Sequence, residues 1–468
     1  MWTESPMQRT IFSRRQWLAR MGSGFGLLAL RDLLGAELDR ATHPHSVRAS
    51  HHPARAKRVI FLYMPGGPSH VDLFDPKPRL ARDNGKPLPF DKPKLERTKT
   101  GNLLASPWSF SRHGPSGTAV SELLPHVASC VDDLCVIRSM VADNINHTGA
   151  ALQMCTGEQA FSRPSLGSWL TYGLGTENQN LPGFIVVSPA AVFQGAQLWA
   201  SSFLPSAYQG TLIRDLAHPM ANLADPSWDM KRQRAKLDAL GSWNELHKTG
   251  REQNTELDAR ISAFELAFRM QQEAPEAFDL SRESAATHRL YGTDRPTTEL
   301  FARQCLMARR LAERGVRFIQ LFDAPKNNAW DHHGGLREDL PKRCAAVDQP
   351  IAALLKDLKS RGLLEDTLVL WGGEFGRTPT AEGTNGREHH PFGFSMWMAG
   401  GGVRPGHVHG ATDEFGWHAV HDKVHVHDLH ATLLDLMGLD HTRLTYRFGG
   451  RDHRLTDVHG DLVKPLLA

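Results

Sequence analysis

The sequence predicts a doubly wound α/β fold, a mostly parallel sheet with helices on both faces, and three observations predict it. Largely apolar runs recur at 59–64, 135–137, 184–187, 316–321, 367–371 and 394–398, the pattern of strands buried on both faces. Patterns of helical period separate several of them, around 256–274, 298–314, 345–361 and 428–437, and such alternation implies parallel pairing. The loops after the runs are rich in Gly, His, Asp and Glu, and an open α/β sheet binds its ligands beyond the carboxyl ends of its strands.

Composition sets the outer limits. The 468 residues carry 54 Lys plus Arg against 51 Asp plus Glu, a formal charge of +3. No polyanion-binding surface follows from that balance, and no nucleic-acid partner is expected. Apolar residues make up 40% of the chain, which is globular rather than fibrous or disordered. Histidine is the anomaly, with 25 residues against five each of Tyr and Cys, and neutral imidazole is the commonest metal ligand. Cys130, Cys135, Cys155, Cys305 and Cys344 are odd in number and form no Cys-x-x-Cys pair, so neither a disulfide framework nor a zinc knuckle is implied.

Taken in order, the chain begins with Ser13-Arg14-Arg15-Gln16-Trp17-Leu18 ahead of a mildly apolar run at 21–30, a twin-arginine leader pattern. The alternative is an amphipathic helix that happens to carry two arginines, interrupted by Arg31-Asp32. The leader reading expects export by the twin-arginine machinery to the periplasm or beyond. The run is shorter than the ~20 residues that span a bilayer, and no later segment qualifies, so no transmembrane span is expected. Residues 42–57, rich in His, Pro, Arg and Ala, read as a linker. That divides the chain into leader and linker at 1–57 and an α/β domain at 58–468. The stretch 190–300 lacks the punctuation of the rest and reads as an inserted helical cap over the sheet.

Four clusters then converge on one predicted sheet edge. After the first strand stand Pro65-Gly66-Gly67-Pro68-Ser69-His70-Val71-Asp72, and after Phe322 stand Trp330-Asp331-His332-His333. After Trp371 stand Gly372-Gly373-Glu374-Phe375-Gly376-Arg377, followed by Gly386-Arg387-Glu388-His389-His390. Mixed carboxylate and imidazole ligands suit zinc, manganese or iron rather than calcium or magnesium. Asp331 and His333, two apart on one loop, can reach one ion. Glu374 with His389 or His390 can complete that site, while His70, Asp72 and His147 can supply a second ion or activate water. Two metals together would clamp a tetrahedral phosphate or sulfate ester.

Each residue also has a bland reading. A single loop histidine is more often a hydrogen-bonding surface group than a ligand, and Glu374 can cap a helix. The ten histidines of 407–459 read mostly as structural or surface residues, with 424–427 as an extended edge and His430 on a helix capped by Asp428. Met64-Pro65-Gly66-Gly67-Pro68 lacks the spacing of a nucleotide loop, and no Gly-x-Ser-x-Gly elbow is present.

At these motifs the chain resembles domain-of-unknown-function family 1501, related to sulfatases within the alkaline phosphatase superfamily. The residues that carry the resemblance include the leader, Gly66-Gly67-Pro68-Ser69-His70-Val71-Asp72, Trp330-Asp331-His332-His333, Gly373-Glu374-Phe375-Gly376-Arg377-Thr378-Pro379 and Asp428-Leu429-His430-Ala431-Thr432. The resemblance implies an alkaline phosphatase- or sulfatase-like sheet, metal sites, and hydrolysis of sulfate or phosphate esters by a nucleophile at a helix N-terminus. Residues 148–157, ending in Thr156-Gly157, look like that helix, which puts His147 or Thr148 at the base or nucleophile position. No Cys-x-Pro-Ser-Arg stands there, so formylglycine chemistry is not expected. The superfamily ends its first strand in a metal-binding Asp and a later one in Asp-His, where this chain has Pro65-Gly66 and Glu374-Phe375. His70, Asp72 and Glu374 compensate, or the second site is lost and the chain holds one metal or none.

The resulting expectation is an exported hydrolase of small-molecule or glycan esters, dependent on a divalent ion, zinc or manganese. His70, Asp72, Asp331, His333, Glu374, His389 and His390 would hold metal, His147 or Thr148 would act as base or nucleophile, and Arg377 would neutralise an anionic substrate. The alternative is a non-catalytic exported protein that uses the same cleft to bind a glycan or a partner.

Overall fold

The structure, a computed structural model, describes residues 44–92, 99–220, 223, 227–249, 255–326 and 328–468. The twin-arginine pattern at 13–18 lies outside the described residues. In chain order the strands of the central sheet are β1 (Arg58–Tyr63), β2 (Leu134–Val141), β3 (Phe184–Val187), β4 (Thr211–Ile213), β5 (Phe318–Phe322), β6 (Thr367–Gly372), β7 (Phe394–Ala399), β8 (His407–His409) and β9 (Val424–His425). All six predicted runs are among them. Across the sheet the order is β8-β2-β7-β6-β1-β5-β3-β4, with β9 also on β2. Every pairing is parallel except those of β7 with β2 and β6.

The longer helices are α1 (His147–Thr156), α2 (Leu166–Leu174), α3 (Met230–Lys248), α4 (Thr255–Phe278), α5 (Glu299–Glu313), α6 (Leu336–Ser360) and α7 (Val426–Leu436). Side chains alternate along a strand, and β1 shows why an uninterrupted apolar run is needed. Ile60, Leu62 and Met64 join one core with α4, α5 and α6. Val59, Phe61 and Tyr63 join the other with α1, α2 and α7. The sheet is thus wound on both faces, and each fully buried Ile or Leu contributes about 1.5–3 kcal/mol.

Three segments differ from the sequence expectation. Helix α6 starts at Leu336, ahead of the expected 345, and runs through Pro341 and Pro350, residues that a periodicity reading treats as breaks. Helix α7 is capped by His425 rather than Asp428. The His425 ring accepts from His427 N, while Asp428 Oδ2 accepts from His425 N, a reciprocal capping box. The stretch 190–300 contributes edge strand β4 and the hairpin of α3 and α4, and Met270, Ala274, Ala277 and Phe278 of α4 enter the core. The linker is held fast from Pro44 onward. Arg48 donates to Tyr172 O at 2.6 Å and Tyr208 Oη at 3.2 Å, and Ala56 is buried.

Several histidines are core residues. His430 donates from Nε2 to Met154 O at 2.9 Å, and burial pushes its pKa down to about 3. Burial, reinforced by the charges of Arg269 and Arg48, pushes His45 down to about 4. These folded values lie below the unfolded value near 6.5, so the unfolded chain binds more protons as pH falls. Their contribution is present above about pH 6.5 and is lost toward pH 4. At about pH 5 each costs about 2 kcal/mol. Urea midpoints should therefore fall clearly between about pH 7.5 and about pH 5, and equal midpoints would contradict the assignment.

Candidate metal centre

The centre forms where β1, β5 and β6 end and α1 begins. The chain leaves β1 through Gly66 at φ 114°, where a Cβ would stand 2.5 Å from Asp331 N, so only glycine lets the two loops pass this closely. Trp330 N donates to Pro65 O at 3.0 Å and Trp330 Nε1 to Asp323 Oδ2 at 2.8 Å, which fixes the backbone that presents Asp331 and His333. After β6, Glu374 leads into a hairpin of Gly376–Glu382 and Gly386–His390. The hairpin register slips between Arg387 and His389, a local irregularity that re-aims side chains. On α1, Asn146 caps the helix by accepting from Thr148 N at 2.9 Å, and His147 is the first helical residue.

Asp331 is the hub. Its carboxylate lies 3.2 Å from His147 Nε2, 3.0 Å from His333 Nε2, 3.5 Å from His389 Nε2 and 2.5 Å from Arg377. His333 Nε2 and His389 Nε2 are 2.9 Å apart. The other ring nitrogen of each histidine is anchored, His147 Nδ1 on Glu374 at 2.7 Å, His389 Nδ1 on Ile145 O at 2.6 Å, and His333 Nδ1 on Glu382. Anchoring Nδ1 to an acceptor turns Nε2 inward as a ligand, the usual support of a metal-bound imidazole. His147 Nε2 is buried and faces Asp331 Oδ2 at 3.2 Å.

These four residues offer ligand atoms all within 4.8 Å of one another. Zinc ligands at ~2.0–2.1 Å in a tetrahedron stand about 3.3 Å apart, and separations of 2.9, 3.0, 3.2 and 3.5 Å bracket that edge. The donor set fits a borderline divalent cation. A second group, His333 with Glu382 and Glu388, adjoins the first.

Electrostatics follow the same geometry. Burial would raise the Asp331 pKa, but hydrogen bonds from three imidazoles and the Arg377 charge outweigh it and hold the carboxyl far below its usual range. Burial would lower His147 and His333. Hydrogen bonds to Asp331 and Glu374 raise His147 instead, and those to Asp331 and Glu382 raise His333. For His389 burial prevails and the pKa falls.

The structure therefore brings together His147, Asp331, His333 and His389, with Glu374 one bond behind, and places the other expected residues elsewhere. Glu374 spends both oxygens on His147 Nδ1, Gly66 N at 2.8 Å and Tyr63 Oη at 3.0 Å. Asp72 pairs with Arg387 at 2.7 Å, both side chains fully buried. His70 and His390 stack on each other, ring centroids 6.0 Å apart, and their Nε2 atoms meet the carbonyls of Gly416 and Trp417. Arg377, expected to face substrate, is fully buried and donates to Gly66 O, Gly67 O, Arg387 O and Asp331. Thr148 is exposed beside His147. Sequence reasoning missed Glu382 and the carbonyl of Ile145. Position on the hairpin strand facing His333 was the only signal for the first, and none existed for the second.

The fold and this cluster define an α/β protein with a candidate divalent-metal centre at the carboxyl ends of its strands. The chain belongs to the family described as "Protein of unknown function (DUF1501)", which matches residues 56–467. No curated protein matches it. Among solved structures it is similar to the lipoteichoic acid synthase LtaP from Listeria monocytogenes, at 9% identity and TM-score 0.36, covering 90% of this chain and 80% of that one. It is also similar to the phosphonate monoester hydrolase SpPMH from Silicibacter pomeroyi, at 11% and 0.36, covering 74% and 71%. For the PsFucS1 sulfatase from Pseudoalteromonas sp. the values are 14% and 0.32, covering 82% and 68%. The chemistry open to the chain is set by the geometry of its own centre, not by these likenesses.

Protein loaded with manganese or zinc and then desalted should retain about one ion per chain at this cluster. Retention should weaken from about pH 8 to about pH 6, because the metal must displace protons from imidazole. Removing the His147 anchor by Glu374→Gln should cost about 10–100-fold in metal affinity. Equal metal content in wild type and a His333→Ala/His389→Ala double variant would show that the ion binds elsewhere.

Proposed function

We propose that the protein is a metal-dependent hydrolase of sulfate or phosphate esters, exported through the twin-arginine route to the periplasm or cell exterior. The observation that carries the reading is the convergence of three Nδ1-anchored imidazoles and Asp331 beside the N-terminus of α1, where Thr148 presents an exposed hydroxyl. His147, Asp331, His333 and His389 would hold the ion, and the ion would supply polarisation of the ester and a lowered pKa for water. The start of α1 directs backbone N–H groups and the positive end of the helix dipole toward an anionic ester. Thr148 is the hydroxyl nearest the cluster in sequence and takes the nucleophile's place in the absence of a formylglycine motif. Arg377 keeps Asp331 ionised, and Glu374 and Glu382 hold two imidazoles in the tautomer that faces inward. The leader at 13–18 supports export.

A second reading has one specific observation in its favour. Four protein ligands saturate a tetrahedral zinc, whereas catalytic zinc keeps a position open. Zinc held this way would be structural and would leave the domain a binding protein. An ion that takes more ligands than zinc, such as manganese, would leave room for substrate beside the same four residues, and the hydrolase reading expects such an ion.

The test combines metal analysis with turnover of aryl sulfate, phosphate monoesters and phosphate diesters. Manganese-loaded wild type should turn over at least one class. Thr148→Ala should keep its metal and lose activity by about 10²-fold or more, while His333→Ala should lose both. Metal-loaded wild type inert toward all three classes, with four-coordinate zinc by X-ray absorption, would replace the hydrolase with the binding protein.

A further inference from the structure

The near-neutral charge of the whole chain hides a local concentration of charge on α3. This 19-residue helix carries Lys231, Arg232, Arg234, Lys236 and Lys248 against Asp238 and Glu245. Its excess of three positive charges equals the +3 of all 468 residues. Of these cations, Arg234 is taken up by Glu265 at 2.7 Å, while Lys231, Arg232 and Lys236 stand exposed.

The helix also shows how it sits. It has no buried residue, and its main packing partner among the described helices is α4. Its inward face carries Leu237 and Leu240, which border the space between the two helices together with Phe264 and Phe268. An adjoining flank, about a quarter to a third of a turn round from that face, is a stripe at helical spacing of Arg232, Lys236, Ala239, Trp243 and Leu246, in which Lys236 also borders the space between the helices. Trp243 is 72% and Leu246 74% exposed, the two most exposed large hydrophobic side chains on the helix. Arg232 and Lys236 bracket the ring of Trp228 at 4.4 and 4.9 Å, which holds their charges at one end of the stripe.

Two exposed large apolar groups one turn apart, beside three exposed cations of which two also rest on the Trp228 ring, have few uses in an isolated domain. A protein partner would need a surface both apolar and acidic in matching register. A lipid surface with anionic head groups satisfies both demands without any register. Trp enters the head-group boundary with its amphipathic ring, Leu enters the acyl region, and Lys and Arg meet the anionic heads. We propose that the outer face of α3 docks the protein on an anionic lipid surface, with Trp243 and Leu246 as the inserted pair and Lys231, Arg232 and Lys236 as the electrostatic contact. The helix lies along the surface rather than crossing it, consistent with no described helix being long and apolar enough to span a bilayer.

The experiment uses the purified full chain and two vesicle types, pure phosphatidylcholine and phosphatidylcholine mixed with phosphatidylglycerol. Sedimentation with the anionic vesicles is expected, with little on the neutral ones, and raised salt should release the protein. Two double variants separate the contributions. Arg232→Glu/Lys236→Glu should weaken binding at least about tenfold, and Trp243→Ser/Leu246→Ser should do so at any salt concentration. Both alter exposed positions, and an unchanged thermal midpoint establishes that they fold. Equal binding to both vesicle types would overturn the proposal, as would wild-type binding by either variant. A Trp243-dependent dimer that ignores vesicles would assign the stripe to a second copy instead.

Discussion

Asp331 holds a negative charge in a place largely cut off from water, and everything around it is arranged to make that tolerable. A buried carboxylate is costly unless charge and hydrogen bonds surround it. Arg377 supplies the fixed positive charge, and three imidazoles supply adjustable ones. The same guanidinium also grips the carbonyls of Gly66, Gly67 and Arg387. One ionic contact therefore ties the turn after β1, the loop after β5 and the hairpin after β6 into a single piece. The candidate centre is rigid because those three segments share a buried arginine, not because any one loop is stiff.

Charge placement then separates roles that look alike in a composition table. Glu374 and Glu382 sit behind histidines and set their tautomers, whereas Asp331 sits in front of them. A divalent ion in the middle would face one carboxylate directly and two through imidazole rings, a distribution that favours neutral imidazole with Nε2 free to bind. Glu388 adds a further buried carboxylate on the far side of His333, so His333 stands between the main cluster and a second acidic group.

Much of this is legible in the sequence, and the reasons for the rest are physical. Continuous apolar runs locate the strands because a doubly covered sheet tolerates no polar alternation, and strand ends locate the loops that matter. Residue type and position cannot say which carboxylate an arginine has already claimed. Asp72 lies at the right edge but is neutralised by Arg387, 315 residues further along. His389 and His390 are adjacent, and on a strand they face opposite ways. Only the register slip in the hairpin decides that His389 reaches Asp331 while His390 goes to the Trp417 carbonyl. Backbone groups such as Ile145 O have no residue-type signature at all. The cap of α7 stands ahead of the position that residue type suggests for a related reason, since histidine is a rare capping group and aspartate a common one.

The position of β1 has a consequence for assembly in time. Among the described strands of the sheet it is the first in chain order, yet it lies between β6 and β5, with Val59 opposite Leu368 on one side and Phe318 on the other. An all-apolar segment must therefore wait for more than half the chain before either hydrogen-bonding edge is satisfied. Sequence-distant pairing of this kind slows folding and leaves hydrophobic surface open to aggregation in the interval. Arg55, just ahead of β1, contacts the carbonyl of Ala468, and Ala468 N donates to Gly402 O at 3.0 Å. Ala468 thus closes against the start of the domain, so this seam forms only after β1 and all the partners that flank it have been made.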